Sequence, residues 1–169
     1  MADIVLRAQP LSRSAFAPYG DVIEVSEHNT VIPINYGLTQ RHHDLATVDV
    51  AANGGKPIIS LFRSDPVKVP FKVEIMERHP LGSQAFVGLH GHPFLVVVGE
   101  AGAFDPLALR AFLARGDQGV NYHRGTWHHY CLSLEGGNDF LVVDRGGEGH
   151  NCDEVSVPND INILVTIGE

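Results

Sequence analysis

The chain has 169 residues, enough for one domain with a substantial core. Hydrophobic residues make up 44 % and charged residues 19 %, a balance that excludes intrinsic disorder as the organising principle. A formal charge of −8, with no Lys/Arg cluster, argues against nucleic acid and anionic membrane as partners.

In chain order, the N-terminal Met1–Arg7 lacks the apolar core of a secretory signal, and no apolar run approaches the ~20 residues of a membrane span. A short helix is predicted over Ser12–Ala17, ended by Pro18-Tyr19-Gly20, with a strand over Asp21–Val25. Residues 26–57 are weakly patterned, either a long flap over one edge or short strands. Strands follow over Ile58–Arg63, Phe71–Arg78, Gln84–Leu89 and Pro93–Val98. Asp105 as cap, Pro106 at the first position and Gly116 as stop predict a helix through Leu107, Leu109, Arg110, Phe112 and Leu113. The remaining strands are Val120–His123, His128–Leu134, Phe140–Asp144 and Ile161–Ile167. Short β-branched and aromatic runs between frequent glycines and prolines are the pattern of an all-β sandwich or barrel. The two cysteines, Cys131 and Cys152, fit a reducing cytoplasm with free thiols.

Three histidines in His123-Arg124-Gly125-Thr126-Trp127-His128-His129 suggest a site on a strand–turn–strand. A partner segment lies upstream. In Phe71–His79, strand alternation puts Phe71, Val73 and Ile75 on one face and carries that face on to Glu77 and His79. An ionised carboxylate aimed into a core is costly unless paired or metal-bound. Gln84 shares a face with Phe86 and is expected inward. His128 shares a face with Leu132 and Leu134, which favours an inward His128, an outward His129 at an interface or in solvent, and His123 at the rim. Glu77, His79, Gln84 and His128 are the inward candidates, for a metal, a substrate or a hydrogen-bonded polar cluster. His90-Gly91-His92 is expected as an exposed turn, and Arg78 away from Glu77 and His79.

Glu77-x-His79-x(4)-Gln84 and His123-x-Gly125-x-x-His128 look like the two ligand motifs of cupin barrels, with substitutions. A longer set of motifs is Glu77–Phe86, Gly119–Arg124, Trp127-His128-His129 and Asp144-Arg145-Gly146-Gly147, joined by Ala17–Glu24 and Asn151-Cys152-Asp153. Together these resemble the ureidoglycolate lyase family over nearly the whole chain. The resemblance implies a mainly β, cupin-like antiparallel barrel with a few short helices, in one domain over 1–169. It implies a cytoplasmic homodimer that splits (S)-ureidoglycolate into glyoxylate and urea. It also implies a divalent metal, nickel by family association, with Zn, Mn and Fe compatible with such mixed O and N ligands.

That reaction needs a base for the substrate hydroxyl and a proton for the leaving nitrogen. Under the resemblance, Glu77, His79, Gln84 and His128 are the candidate ligands. Glu77, His123 and His128 are the candidate catalytic groups, His123 as general acid/base. Arg124 and Arg145 are the candidates for the substrate carboxylate, beside Gln84, with Arg63 a further option. Two other readings stay open: a non-haem iron oxygenase using Glu77, His79 and His128, and a non-catalytic sensor of a small acid.

Overall fold

The runs between the glycines and prolines fold as sixteen strands in the structure, a computed structural model that describes residues 2–168. Met1 and Glu169 lie outside the described residues. The first strands are β1 (Ala2–Pro10), β2 (Gly20–Ile23), β3 (Thr30–Ile34), β4 (Thr39–His43) and β5 (Lys56–Ser64). Next come β6 (Phe71–Val73), β7 (Ile75–Arg78), β8 (Gln84–Gly88), β9 (Phe94–Gly99) and β10 (Arg110–Ala114). The last are β11 (Gly119–Tyr122), β12 (Trp127–His128), β13 (Leu132–Ser133), β14 (Asn138–Gly146), β15 (Asp153–Ser156) and β16 (Ile161–Ile167). The helix α1 (Arg13–Phe16) starts at Ser12, whose side chain accepts from the Ala15 amide.

Nine strands form one curled sheet in the order β15-β7-β12-β9-β10-β1-β16-β6, with β13 also on β9. Five form a second, β2-β11-β8-β14-β5. Pairing is antiparallel except at β1, which runs parallel to both β10 and β16. The architecture is thus mainly β and cupin-like, a curled half-barrel with little helix.

Two apolar clusters follow from this layering. Phe94, Val96 and Val98 of β9 face the five-stranded sheet and pack with Phe86, Val120, Tyr122, Phe140 and Val142. Leu95 and Val97, on the other face of β9, pack with Val73, Met76, Trp127, Ile163 and Val165 where the large sheet curls over itself. All six residues of β9 are therefore buried.

The helix expected through Leu113 is not formed. Asp105 does cap, accepting from the Leu107 amide, and Pro106 does lead, but only a single 3-10 turn, Pro106–Ala108, results. Leu109 turns extended, and Arg110–Ala114 pairs with both β9 and β1. Being buried on both faces, with Ala111 in one cluster and Phe112 in the other, this central strand has no alternation to show. Residues 26–57 contain the β3–β4 ribbon and a 3-10 turn at Ala52–Gly54. β1 and β15 are strands that the sequence pattern did not disclose.

Candidate active site

The site forms where β7, β12, β8 and β14 bring polar ends of apolar rows to the interior of the barrel. His128 pairs across to Glu77 on one side and to Val98 on the other, so all three share the inner face. The row does not run on from Val73 as expected. The strand breaks at Glu74 into β6 and β7, and Val73 and Met76 both enter the outer cluster. Ile75 and Glu77 are left on the opposite side, inward. Likewise, the predicted strand His128–Leu134 breaks at residues 129–131, so His128 faces inward while Leu132 belongs to the outer cluster. Both inward residues were expected; the continuity used to expect them was not there.

One donor atom each from Glu77, His79 and His128 lies within 4.8 Å of the others. Glu77 Oε1 is 4.0 Å from His79 Nε2 and 3.8 Å from His128 Nδ1. Gln84 Oε1 is 3.0 Å from His79 Nε2, and Gln84 Nε2 donates to Asp144 Oδ2 at 3.1 Å. The other face of His79 is held by Asn151, whose backbone carbonyl accepts from Nδ1 at 2.6 Å while its side-chain oxygen accepts from the Leu81 amide.

The electrostatics separate the groups. Burial, with His79 adding to it, pushes the His128 imidazole down to about 3, so it is neutral at pH 7. Its Nε2 is buried without a hydrogen-bond partner. Burial raises the Glu77 carboxyl above its ordinary value, against the opposing pull of His79 and a Cys152 thiol 3.8 Å from Oε2. A more basic carboxylate beside neutral imidazole is a suitable proton acceptor at neutral pH.

Hydrogen-bond polarity says more. A carbonyl only accepts, so His79 carries a proton on Nδ1, and its Nε2 faces Gln84. A carboxylate only accepts, so Gln84 turns its nitrogen to Asp144 and its oxygen to His79. With Nε2 bare, two lone pairs would meet at 3.0 Å. A cation between or beside them, a proton on Nε2 or a metal ion, reconciles that contact. The donor set of carboxylate, imidazoles and amide oxygen fits a divalent metal.

The comparisons with known proteins point to one family. The family model described as Ureidoglycolate lyase matches residues 3–164. The chain belongs to the ureidoglycolate lyase family. A ureidoglycolate lyase of Burkholderia mallei is 53 % identical over 92 % of this chain and 91 % of its own length. One from Burkholderia cepacia is 54 % identical over 89 % and 85 %. One from Pseudomonas paraeruginosa is 51 % identical over 95 % of both.

The other residues picked out in this ureidoglycolate lyase family chain are placed less closely. His123 is half-exposed at the turn after β11, with Nε2 3.1 Å from Asp21 Oδ2; none of its described hydrogen bonds reaches Glu77, His79, Gln84 or His128. Arg124 is held by Asp49, with Nε donating to Oδ2 at 3.1 Å, and the next amide, Gly125, donates to the His79 carbonyl at 3.0 Å. Arg145 is buried, and its Nε and Nη2 are committed to the carbonyls of Ala52, Asn53 and Glu148; only Nη1 has no partner. Arg63 pairs with Asp139. Arg78 turns away from Glu77, onto Asp153 and the Trp127 ring. His90 and His92 pair with Asp139 and Glu135. His129 is outward but neither exposed nor free: it is buried edge-on to Phe71, ring centroids 5.1 Å apart, because the outer face is itself a core.

Two contributors escaped the sequence reading. Asp144 was visible in principle, since Phe140, Val142 and Asp144 share a face and the first two enter the inner cluster. Asn151 acts on His79 through its backbone, which no side-chain pattern reveals.

Proposed function

We propose that the chain is a single-domain carbon–nitrogen lyase that splits (S)-ureidoglycolate into glyoxylate and urea. The observation that carries this reading is the convergence of Glu77, His79, Gln84 and His128 inside the barrel of a chain of this family. Glu77, partly buried and made more basic by burial, takes the proton from the substrate hydroxyl. The alkoxide collapses to the aldehyde of glyoxylate, the carbon–nitrogen bond breaks and the electron pair stays on nitrogen. His123, oriented by Asp21 at the rim, gives that nitrogen its proton, and the product is urea. Arg124, in the turn anchored to His79 by Gly125, meets the substrate carboxylate. Arg145 would reach it only through Nη1.

Glu77, His79, Gln84 and His128 would hold a divalent metal, nickel in the first instance. When bound, it orients the substrate carboxylate and hydroxyl and lowers the hydroxyl pKa. The neutral His128 keeps a lone pair for that purpose. The protein works as a cytoplasmic homodimer in this reading. The supporting observations are two free cysteines and a nine-residue edge strand, β5, that exposes Ile59 and Leu61. No helix among the described residues is long and apolar enough to cross a membrane.

The two-histidine, one-carboxylate set Glu77, His79 and His128 also suits a non-haem iron oxygenase. One experiment separates the readings: racemic ureidoglycolate is incubated with the protein, with and without added Ni2+, while glyoxylate, urea, ammonia and dissolved oxygen are followed. Urea with glyoxylate is expected. Ammonia in place of urea means an amidohydrolase, and oxygen uptake means an oxygenase; either overturns the lyase reading, as does no product at all.

A further inference from the structure

We infer that Asp144 is a positioning residue that holds the Gln84 amide with its oxygen toward His79 and so keeps the centre open to a cation. Asp144 ends the inner-facing row Phe140, Val142, Asp144 of β14, next to β8. Its Oδ2 accepts from Gln84 Nε2 at 3.1 Å, and its Oδ1 is buried without a partner. A half-buried carboxylate that leaves a buried oxygen without a partner is expensive to keep in a barrel. Gln84 is itself buried, so water is not free to take over its orientation.

The alternative orientation shows what the carboxylate prevents. If the Gln84 amide turned over, its NH2 would meet the His79 Nε2 lone pair, and the pair would satisfy itself. The oxygen would leave the centre and the His79 lone pair would be consumed. That closed arrangement is the cheaper one for the empty barrel. It is blocked because it would set the amide oxygen against an Asp144 oxygen, acceptor to acceptor. Asn151 completes the same logic from the other end by fixing the proton on His79 Nδ1. The chain of polarity runs from the Asn151 carbonyl through His79 and Gln84 to Asp144, and both ends are acceptors.

This inference rests on the metal-dependent reading above, and its test separates the two. Asp144→Asn is isosteric and can present an NH2 to Gln84, which releases the block. Ni2+ binding is measured by calorimetry with NiCl2 on wild type, Asp144→Asn, Gln84→Ala and the double variant. The Gln84 side-chain amide is followed by 15N NMR. Asp144→Asn is expected to weaken Ni2+ binding by about 10- to 100-fold, as a residue that orients a ligand does. In the Gln84→Ala background the same change is expected to do almost nothing, because Asp144 acts through Gln84. The Gln84 amide resonances shift in Asp144→Asn. Additive losses, or unchanged Ni2+ affinity in Asp144→Asn, overturn the inference. If wild type binds no Ni2+, the metal reading fails, and the amide resonances alone decide Asp144: no shift overturns its role.

Discussion

The imidazole of His128 lies flat on the phenol ring of Tyr122, centroids 4.2 Å apart and planes 3° from parallel. Tyr122 ends β11 in the five-stranded sheet and His128 ends β12 in the larger one, so this stack joins the two sheets at the site. It fixes the plane of the His128 ring and keeps water from it. Tyr122→Phe preserves the ring and should change the free energy of unfolding by no more than about 1.5 kcal/mol. Tyr122→Ala should cost about 3–5 kcal/mol and lower turnover, as His128 loses its support. Urea denaturation of both variants checks the pair; equal losses in the two would show that the hydroxyl, not the stack, matters.

Acid should destabilise the fold through two buried imidazoles. Burial lowers His128 to about 3 and His129 to about 4, against 6.5 for an ordinary histidine. A depressed value means that the unfolded chain binds protons first. The stability that these neutral rings contribute is present above about pH 6.5 and is lost as pH falls from there toward 4 and then 3. Each pK unit corresponds to about 1.36 kcal/mol. At this chain length, 1 kcal/mol moves the melting temperature by roughly 2–4 °C. The two rings together lose about 5 kcal/mol by pH 4.5, so a fall of roughly 10–20 °C between pH 7 and pH 4.5 is expected by calorimetry. In His129→Asn, whose amide replaces the Nδ1 donor to the Tyr130 carbonyl, the fall should be smaller. A melting temperature flat over that range would refute this account.

Glu77→Gln keeps the shape of the side chain and removes its basicity. A loss of about 10²- to 10⁴-fold in kcat/KM is expected, with the melting temperature little changed. Prolonged chelation of wild type should also lower turnover, and added Ni2+ should restore it. A Glu77→Gln variant with wild-type kcat/KM would remove the carboxylate from the base role.

The thiols should differ sharply. Burial pushes Cys131 up to about 12; partial burial and the Glu77 charge also raise Cys152, but its sulfur is on an exposed residue that reagent can reach. At pH 8 the native protein should react with a chromogenic disulfide at Cys152 alone, and both thiols should react in denaturant. Because the Cys152 sulfur is 3.8 Å from Glu77 Oε2, the adduct should crowd the carboxylate and suppress turnover. Two thiols reacting at equal rates in the native state would contradict the burial of Cys131.

Much of this site was legible because it sits on strands buried on one side and because its residues carry family motifs. Glu77, His79, Gln84 and His128 could be named from alternation and resemblance together. Alternation alone was a weaker guide than it looked. The breaks at Glu74 and at residues 129–131 each shift the phase of a strand, and no residue type marks them. His129 was expected at an interface or in solvent because one face of a barrel strand is usually wet; here the large sheet curls until that face is a second core. The segment Arg110–Ala114 reads as helix because Asp105, Pro106 and Gly116 carry start and stop signals, and a strand buried on both faces shows no period to oppose them. Asn151, acting through its carbonyl, leaves no side-chain signature at all.

β9 is a party wall between two rooms. Phe94, Val96 and Val98 furnish the chamber that holds the site, and Leu95 and Val97 furnish the one behind it. Val98 is the cross-strand neighbour of His128. A methylene added or removed behind the wall therefore has no solvent into which to relax, and the displacement reaches His128 through the backbone of β9. Changes made in the rear chamber to raise thermal stability will register in turnover, even where no altered atom comes near the substrate.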